Sequence, residues 1–258
     1  MIKLVSIDWV ADHLGQHQFA LIDARRPMKY LSGHLPGAIN LPSYKLFGPG
    51  GRLFEPEALA ELVGSAGVSC NSSAVIYDSP EGLNAAMVAW TLEYLGHPDI
   101  AVMQEFFEMW KASGRETLYK PVIIPPAVFS GRLNPRVRAN LEDVRHPRNM
   151  KLVDFRSREE YSGARTVGED EAGHIPGAAN IAWCDLGVPP NSMLKPVEDL
   201  VQMTTAVGLN QGDRIVAYCR SGPRAALGYL ALSQLDVDVR LFDGSFAEWS
   251  QAGLPAEK

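Results

Sequence analysis

The chain contains itself twice. Leu21-Ile22-Asp23-Ala24-Arg25 resembles Leu152-Val153-Asp154-Phe155-Arg156. Gly33-His34-Leu35-Pro36-Gly37-Ala38-Ile39-Asn40 resembles Gly173-His174-Ile175-Pro176-Gly177-Ala178-Ala179-Asn180. Val75-Ile76-Tyr77-Asp78 then aligns with Val216-Ala217-Tyr218-Cys219, and Glu108-Met109-Trp110 with Gly114 matches Glu248-Trp249 with Gly253. The matches keep their order, and the second copy carries an insertion around residues 163–171. A repeat this long means duplicated domains, because solenoid units run about 20–50 residues.

Between the copies lies Lys120-Pro121-Val122-Ile123-Ile124-Pro125-Pro126. Proline bars regular helix and biases its neighbours to extended backbone. The expected division is a domain over 1–117, a linker over 118–132 and a domain over 133–258. Within each copy short apolar runs alternate with helical patterns. Residues 100–103, 214–218 and 237–242 read as strands; 56–63, 196–207 and 225–232 read as helices. The alternation predicts two α/β domains, each a largely parallel sheet flanked by helices. With 46% hydrophobic residues in 258, such cores need no disulfides.

The formal net charge of −6 argues against nucleic acid or an anionic membrane as main partner. The N-terminus has no apolar signal-peptide core, and no run approaches the ~20 residues of a membrane span. Cys70, Cys184 and Cys219 are an odd number without metal-ligand spacing. That fits free thiols in a reducing compartment, hence a cytoplasmic protein with no metal and no cofactor.

One segment carries chemistry. Cys219 ends the apolar run 214–218 and is followed by Arg220-Ser221-Gly222-Pro223-Arg224 and a helix. Strand, loop and helix aim loop amides and a helix N-terminus at one point, where a thiolate, the attacking form, would be favoured. Gly222 allows conformations that a Cβ forbids. Arg220 and Arg224 offer forked donors to an anion.

The Asp-x-Arg after a strand, Gly-His-(Leu/Ile)-Pro-Gly-Ala, the strand-end cysteine and the closing Asp243-Gly244-Ser245-Phe246-x-x-Trp249 together resemble the rhodanese family. The resemblance covers nearly the whole chain, in two copies. It matches two-domain sulfurtransferases whose first domain is catalytically silent. Here Asp78 replaces the cysteine, and Asp78-Ser79-Pro80-Glu81-Gly82 puts carboxylates where an anion would sit. The first domain is therefore expected to be scaffold and one wall of a cleft.

The resemblance implies covalent sulfur transfer. A Cys219 thiolate takes the outer sulfur of thiosulfate or a related small anionic donor, then passes it to a thiol, a dithiol or cyanide, with a thiol carrier protein as a further acceptor. Cysteine-dependent phosphatases use Cys-x5-Arg; the spacing from Cys219 to Arg224 is Cys-x4-Arg, a smaller loop. The loop matches neither the thiosulfate-preferring nor the mercaptopyruvate-preferring pattern, although Arg220 favours thiosulfate. Family members often carry an arginine at the position of Glu160; Arg165 is a substitute candidate. Asp154 and Arg156 are expected to pair beneath the loop, with Asp243 a further supporting residue. The alternatives are a persulfide carrier fed by a desulfurase, or a 3-mercaptopyruvate sulfurtransferase.

Other residues read as structure. Cys70 and Cys184 are expected to be inert buried packing, with Cys184 a candidate resolving thiol. His34 and His174 pin a turn, and Trp110 and Trp249 anchor helices. Arg25-Arg26 reads as ordinary surface, and Glu169-Asp170-Glu171 as a solvated loop.

Overall fold

The computed structural model describes residues 1–16, 18–168, 171–188 and 191–258. It divides into two compact units. The first is Met1–Asn134 with Val188–Met193; the second is Pro135–Gly187 with Leu194–Lys258. Glu169 and Asp170 of the acidic run lie outside the described residues.

The first unit is built on β1 (Lys3–Val5), β2 (Phe19–Asp23), β3 (Ile39–Asn40), β4 (Ser73–Tyr77) and β5 (Ile100–Met103). They lie in the order β1-β5-β4-β2-β3 and every pairing is parallel. The second unit repeats this with β6 (Met150–Asp154), β7 (Ala179–Asn180), β8 (Arg214–Tyr218) and β9 (Asp238–Leu241) in the order β7-β6-β8-β9, again all parallel. A single parallel bridge from Arg138 to Leu241 stands where the first unit has β1.

Central strands of parallel sheets are covered on both faces and therefore read as unbroken apolar runs. β4 and β8 do so: Ala74 through Tyr77 and Ile215 through Tyr218 are all buried. The helix Pro223–Leu232 is buried from Ala225 to its end. Its Gly228 lies against the Phe155 ring, where a Cβ would collide. The helices expected at 56–63 and 196–207 run Pro56–Ser65 and Val197–Ala206.

The segment expected as a linker lies along the first unit. Leu118 and His34 exchange backbone hydrogen bonds and Ala127 N–H donates to Gly64 O; just past the segment, Asn134, expected in the second domain, belongs to the first unit and donates its N–H to Tyr94 O. The segment itself forms no helix or strand, and N–H groups along it find acceptors on the unit that precedes it.

Candidate active site

The repeat places the same frame at the carboxyl end of each sheet. In the second unit Asp154 ends β6, level with Tyr218 at the end of β8 and Asn180 at the end of β7. Arg156 folds back on Asp154, with Nη2 to Oδ2 at 2.6 Å and the backbone N–H to Oδ1 at 2.8 Å. Its other contacts are the Gly173 carbonyl at 2.7 Å and the Phe246 ring, 3.9 Å from the guanidinium carbon. The Tyr218 hydroxyl hydrogen-bonds to Asp154 and accepts from Ile175 N–H at 3.1 Å. Burial, reinforced by the Asp154 charge, holds that hydroxyl well above the usual tyrosine range. Asn180 Nδ2 ties the carbonyls of Asp154 and Arg156 together. The expected ion pair is thus the keystone of a network that fixes the residue before Cys219.

The first unit repeats every member: Asp23, Arg25, Tyr77, Phe107 and Asn40 make the matching contacts. Arg25 is therefore not surface. It is 2% exposed, because a charged side chain is buried only when paired this fully. His34 and His174 stack on Tyr30 and Tyr161, ring centroids 3.9 and 3.7 Å apart, and each Nδ1 bonds that tyrosine's carbonyl.

Cys219 leaves β8 at the carboxyl end of the sheet, where open α/β folds place their sites. It is 1% exposed. Gly222 N–H donates to its Sγ at 3.2 Å. Gly222 holds φ 107°, a conformation glycine adopts without strain, and precedes Pro223 at the start of the helix. The turn after β9 clamps the loop from the other side. Phe246 N–H donates to Cys219 O and Ala247 N–H to Arg220 O, both at 3.0 Å. Asp243 holds that turn through Arg138, at 2.7 and 3.0 Å, and does not reach the cysteine through any of these bonds.

Ser245 was not a candidate from the sequence. Its Oγ accepts from Cys219 N–H at 3.1 Å, donates to Phe242 O at 2.8 Å and lies 3.9 Å from Cys219 Sγ. Its φ is +55°, uncommon without a glycine, and strain of this kind gathers at functional sites. The signal available was its place in Asp-Gly-Ser-Phe.

Arg224 reaches across to Glu160. Nη1 and Nη2 meet the two carboxylate oxygens at 2.6 and 3.0 Å. Glu160 also closes a capping box with Ser157 at the start of the helix Arg158–Tyr161. Burial alone would raise the Glu160 carboxyl, but the Arg224 hydrogen bonds and charge bring it below the usual range. Arg224 is held above its ordinary value: burial works against it, and Glu160 and the nearby Cys219 outweigh that. Arg165 is exposed. Gly168, in the same insertion, lies beside the Arg220 guanidinium.

In the first unit Asp78 fills the equivalent loop. Its carboxylate is 1% exposed and accepts from Ser79 N–H and Asn84 N–H at 2.8 Å, Ala85 N–H at 3.1 Å and Asn84 Nδ2 at 3.2 Å. Burial pushes its pKa up to about 6 despite these donors. The nest survives there, with a side chain as its anion. Cys70 is half-buried and Cys184 exposed. Neither is the buried packing expected of it, because Cys184 sits in a short helix, Trp183–Asp185, none of whose residues is buried. Among the described residues no cluster of three or more His, Cys, Asp and Glu is placed to hold a metal ion.

The family model for the rhodanese-like domain matches residues 6–113 and again 136–252. The chain belongs to the rhodanese family. A putative thiosulfate sulfurtransferase of Synechococcus elongatus is 32% identical, over 99% of this chain and 85% of its own length. The sulfur carrier protein TtuD of Thermus thermophilus is also 32% identical, over 99% of this chain and 96% of its own. The crystal structure of SseA from Escherichia coli, a 3-mercaptopyruvate sulfotransferase, superposes with a TM-score of 0.86 at 27% identity, covering 95% of this chain and 99% of that one. Both rhodanese domains are therefore present, and only the second carries a cysteine in the loop.

Proposed function

We propose that this rhodanese is a sulfurtransferase that carries a sulfane sulfur on Cys219. The observation behind it is the loop itself: a buried strand-end thiol with a loop N–H on its sulfur and Arg224 within electrostatic range. The Cys219 thiolate attacks the outer sulfur of thiosulfate or a related donor. The new Sγ–S bond forms as the donor's S–S bond breaks, and sulfite leaves with the electron pair. Gly222 N–H supplies the sulfur anion with a fixed donor in place of water, and Ser245 holds the Cys219 backbone N–H in position. A thiol or cyanide then attacks the outer sulfur and returns the thiolate. Such double displacement has ping-pong kinetics as its signature.

Among small anionic donors this reading ranks thiosulfate first and mercaptopyruvate second, since relatives of both descriptions share the fold. A carrier role is supported by the likeness to a sulfur carrier protein. The free cysteines fit a reducing compartment such as the cytoplasm, and among the described residues no helix is long and apolar enough to cross a membrane. Steady-state thiocyanate production from thiosulfate and cyanide tests the enzyme reading. Turnover only with a desulfurase as donor would replace it by the carrier reading.

A further inference from the structure

We infer that Glu160 sets the donor class: by occupying Arg224 it withholds that cation from small dianions and leaves Cys219 suited to a persulfide carried on a larger thiol. The inference rests on the proposed role of Cys219. A bidentate Arg–carboxylate pair is among the strongest fixed geometries available to these side chains. Here it is 2.6 and 3.0 Å long, and the Glu160 side chain is 6% exposed. Glu160 is also held by Ser157, so it is not free to swing away. A donor anion can use Arg224 only by competing with a carboxylate already in place, and would leave Glu160 a buried unpaired charge.

The charge balance points the same way. Glu160 already neutralises Arg224, so a thiosulfate dianion would bring two negative charges up to the Cys219 thiolate with that cation spent. An alkyl persulfide, R–S–SH, adds none when protonated and one when ionised. The step needs no further reactant. The Cys219 thiolate attacks the terminal sulfur, the Sγ–S bond forms, the S–S bond of the donor breaks, and RS⁻ leaves with the pair. Excluding one substrate by charge while admitting another is how sites gain selectivity without added contacts.

The test is single-turnover loading of Cys219, followed by peptide mass spectrometry, with thiosulfate and with cysteine persulfide. For the wild type the second-order loading rate should favour cysteine persulfide by at least about a hundredfold; equal rates overturn the inference without any variant. In Glu160→Gln the ratio of thiosulfate to persulfide loading should rise at least about tenfold, while Glu160→Asp, which keeps the charge, should stay near the wild-type ratio. A ratio unmoved in a cooperatively melting Glu160→Gln protein contradicts it, as does a shift of equal size in Glu160→Asp. Loading of Cys219 by neither donor would instead sink the underlying reading of the cysteine.

Discussion

At the scale of single residues the two loops pose one problem and solve it differently. Each loop leaves the carboxyl end of a strand; one puts the Gly222 N–H on a thiol, and the other gathers three backbone N–H groups on its own carboxylate. Asp78→Asn leaves two of the four donors facing an amide NH2, so it should cost on the order of 1–3 kcal/mol in urea unfolding near neutral pH. The folded pKa of about 6 lies above the unfolded value near 3.8. The resulting stabilisation is complete below the unfolded pKa and lost as pH rises through 6. The deficit of Asp78→Asn should therefore be greatest near pH 4 and shrink by roughly 2–3 kcal/mol toward pH 7; a pH-independent deficit would mean Asp78 is ionised throughout. Asp78→Cys combined with Cys219→Ser should show no thiosulfate:cyanide turnover, because the loop supplies no arginine and carries the carboxylate of Glu81 instead. On the other loop, Arg220→Ala should lower kcat/KM for thiosulfate about tenfold, which is ~1.5 kcal/mol, and added sulfate should inhibit the wild type. An unchanged kcat/KM would show that the donor does not read that cation.

At the scale of elements, the β9 turn is what makes the loop rigid. Ser245→Ala removes the acceptor of the buried Cys219 N–H and the hydroxyl near Sγ. It should lower kcat/KM about tenfold while Cys219 still loads; a wild-type rate would make the hydroxyl dispensable. The helix Pro223–Leu232 packs its Gly228 on Phe155, and Gly228→Ala should destabilise by about 1–3 kcal/mol on thermal unfolding, through overpacking. The strands, the Pro-led helices and the loop were legible in the sequence, because apolar runs, turn glycines and the repeat agreed with one another. What was not legible depended on residues far apart in the chain. Glu160 and Arg224 are 64 residues apart, and Glu160 read as a missing arginine when it is a partner. Arg25 read as surface because its burial depends on Asp23, Gly33 and Phe107 closing around it. The linker's prolines signalled a stretch without regular helix, but not that the chain would bond along the first unit.

At the scale of the whole molecule, duplication separates two demands. Both units keep the Asp–Arg–Tyr–Asn network, which is therefore a requirement of the fold. Only the second keeps a sulfur at the end of the central strand. The central claim is that one thiol of three carries the sulfur. Its most direct measurement is peptide mass spectrometry after exposure to cysteine persulfide and, separately, to thiosulfate, followed by cyanide. One added sulfur on the peptide containing Cys219 is expected, absent in a folded Cys219→Ser variant and released by cyanide as an equivalent of thiocyanate. Sulfur on Cys70 or Cys184 instead, or on no cysteine with either donor, would contradict the account.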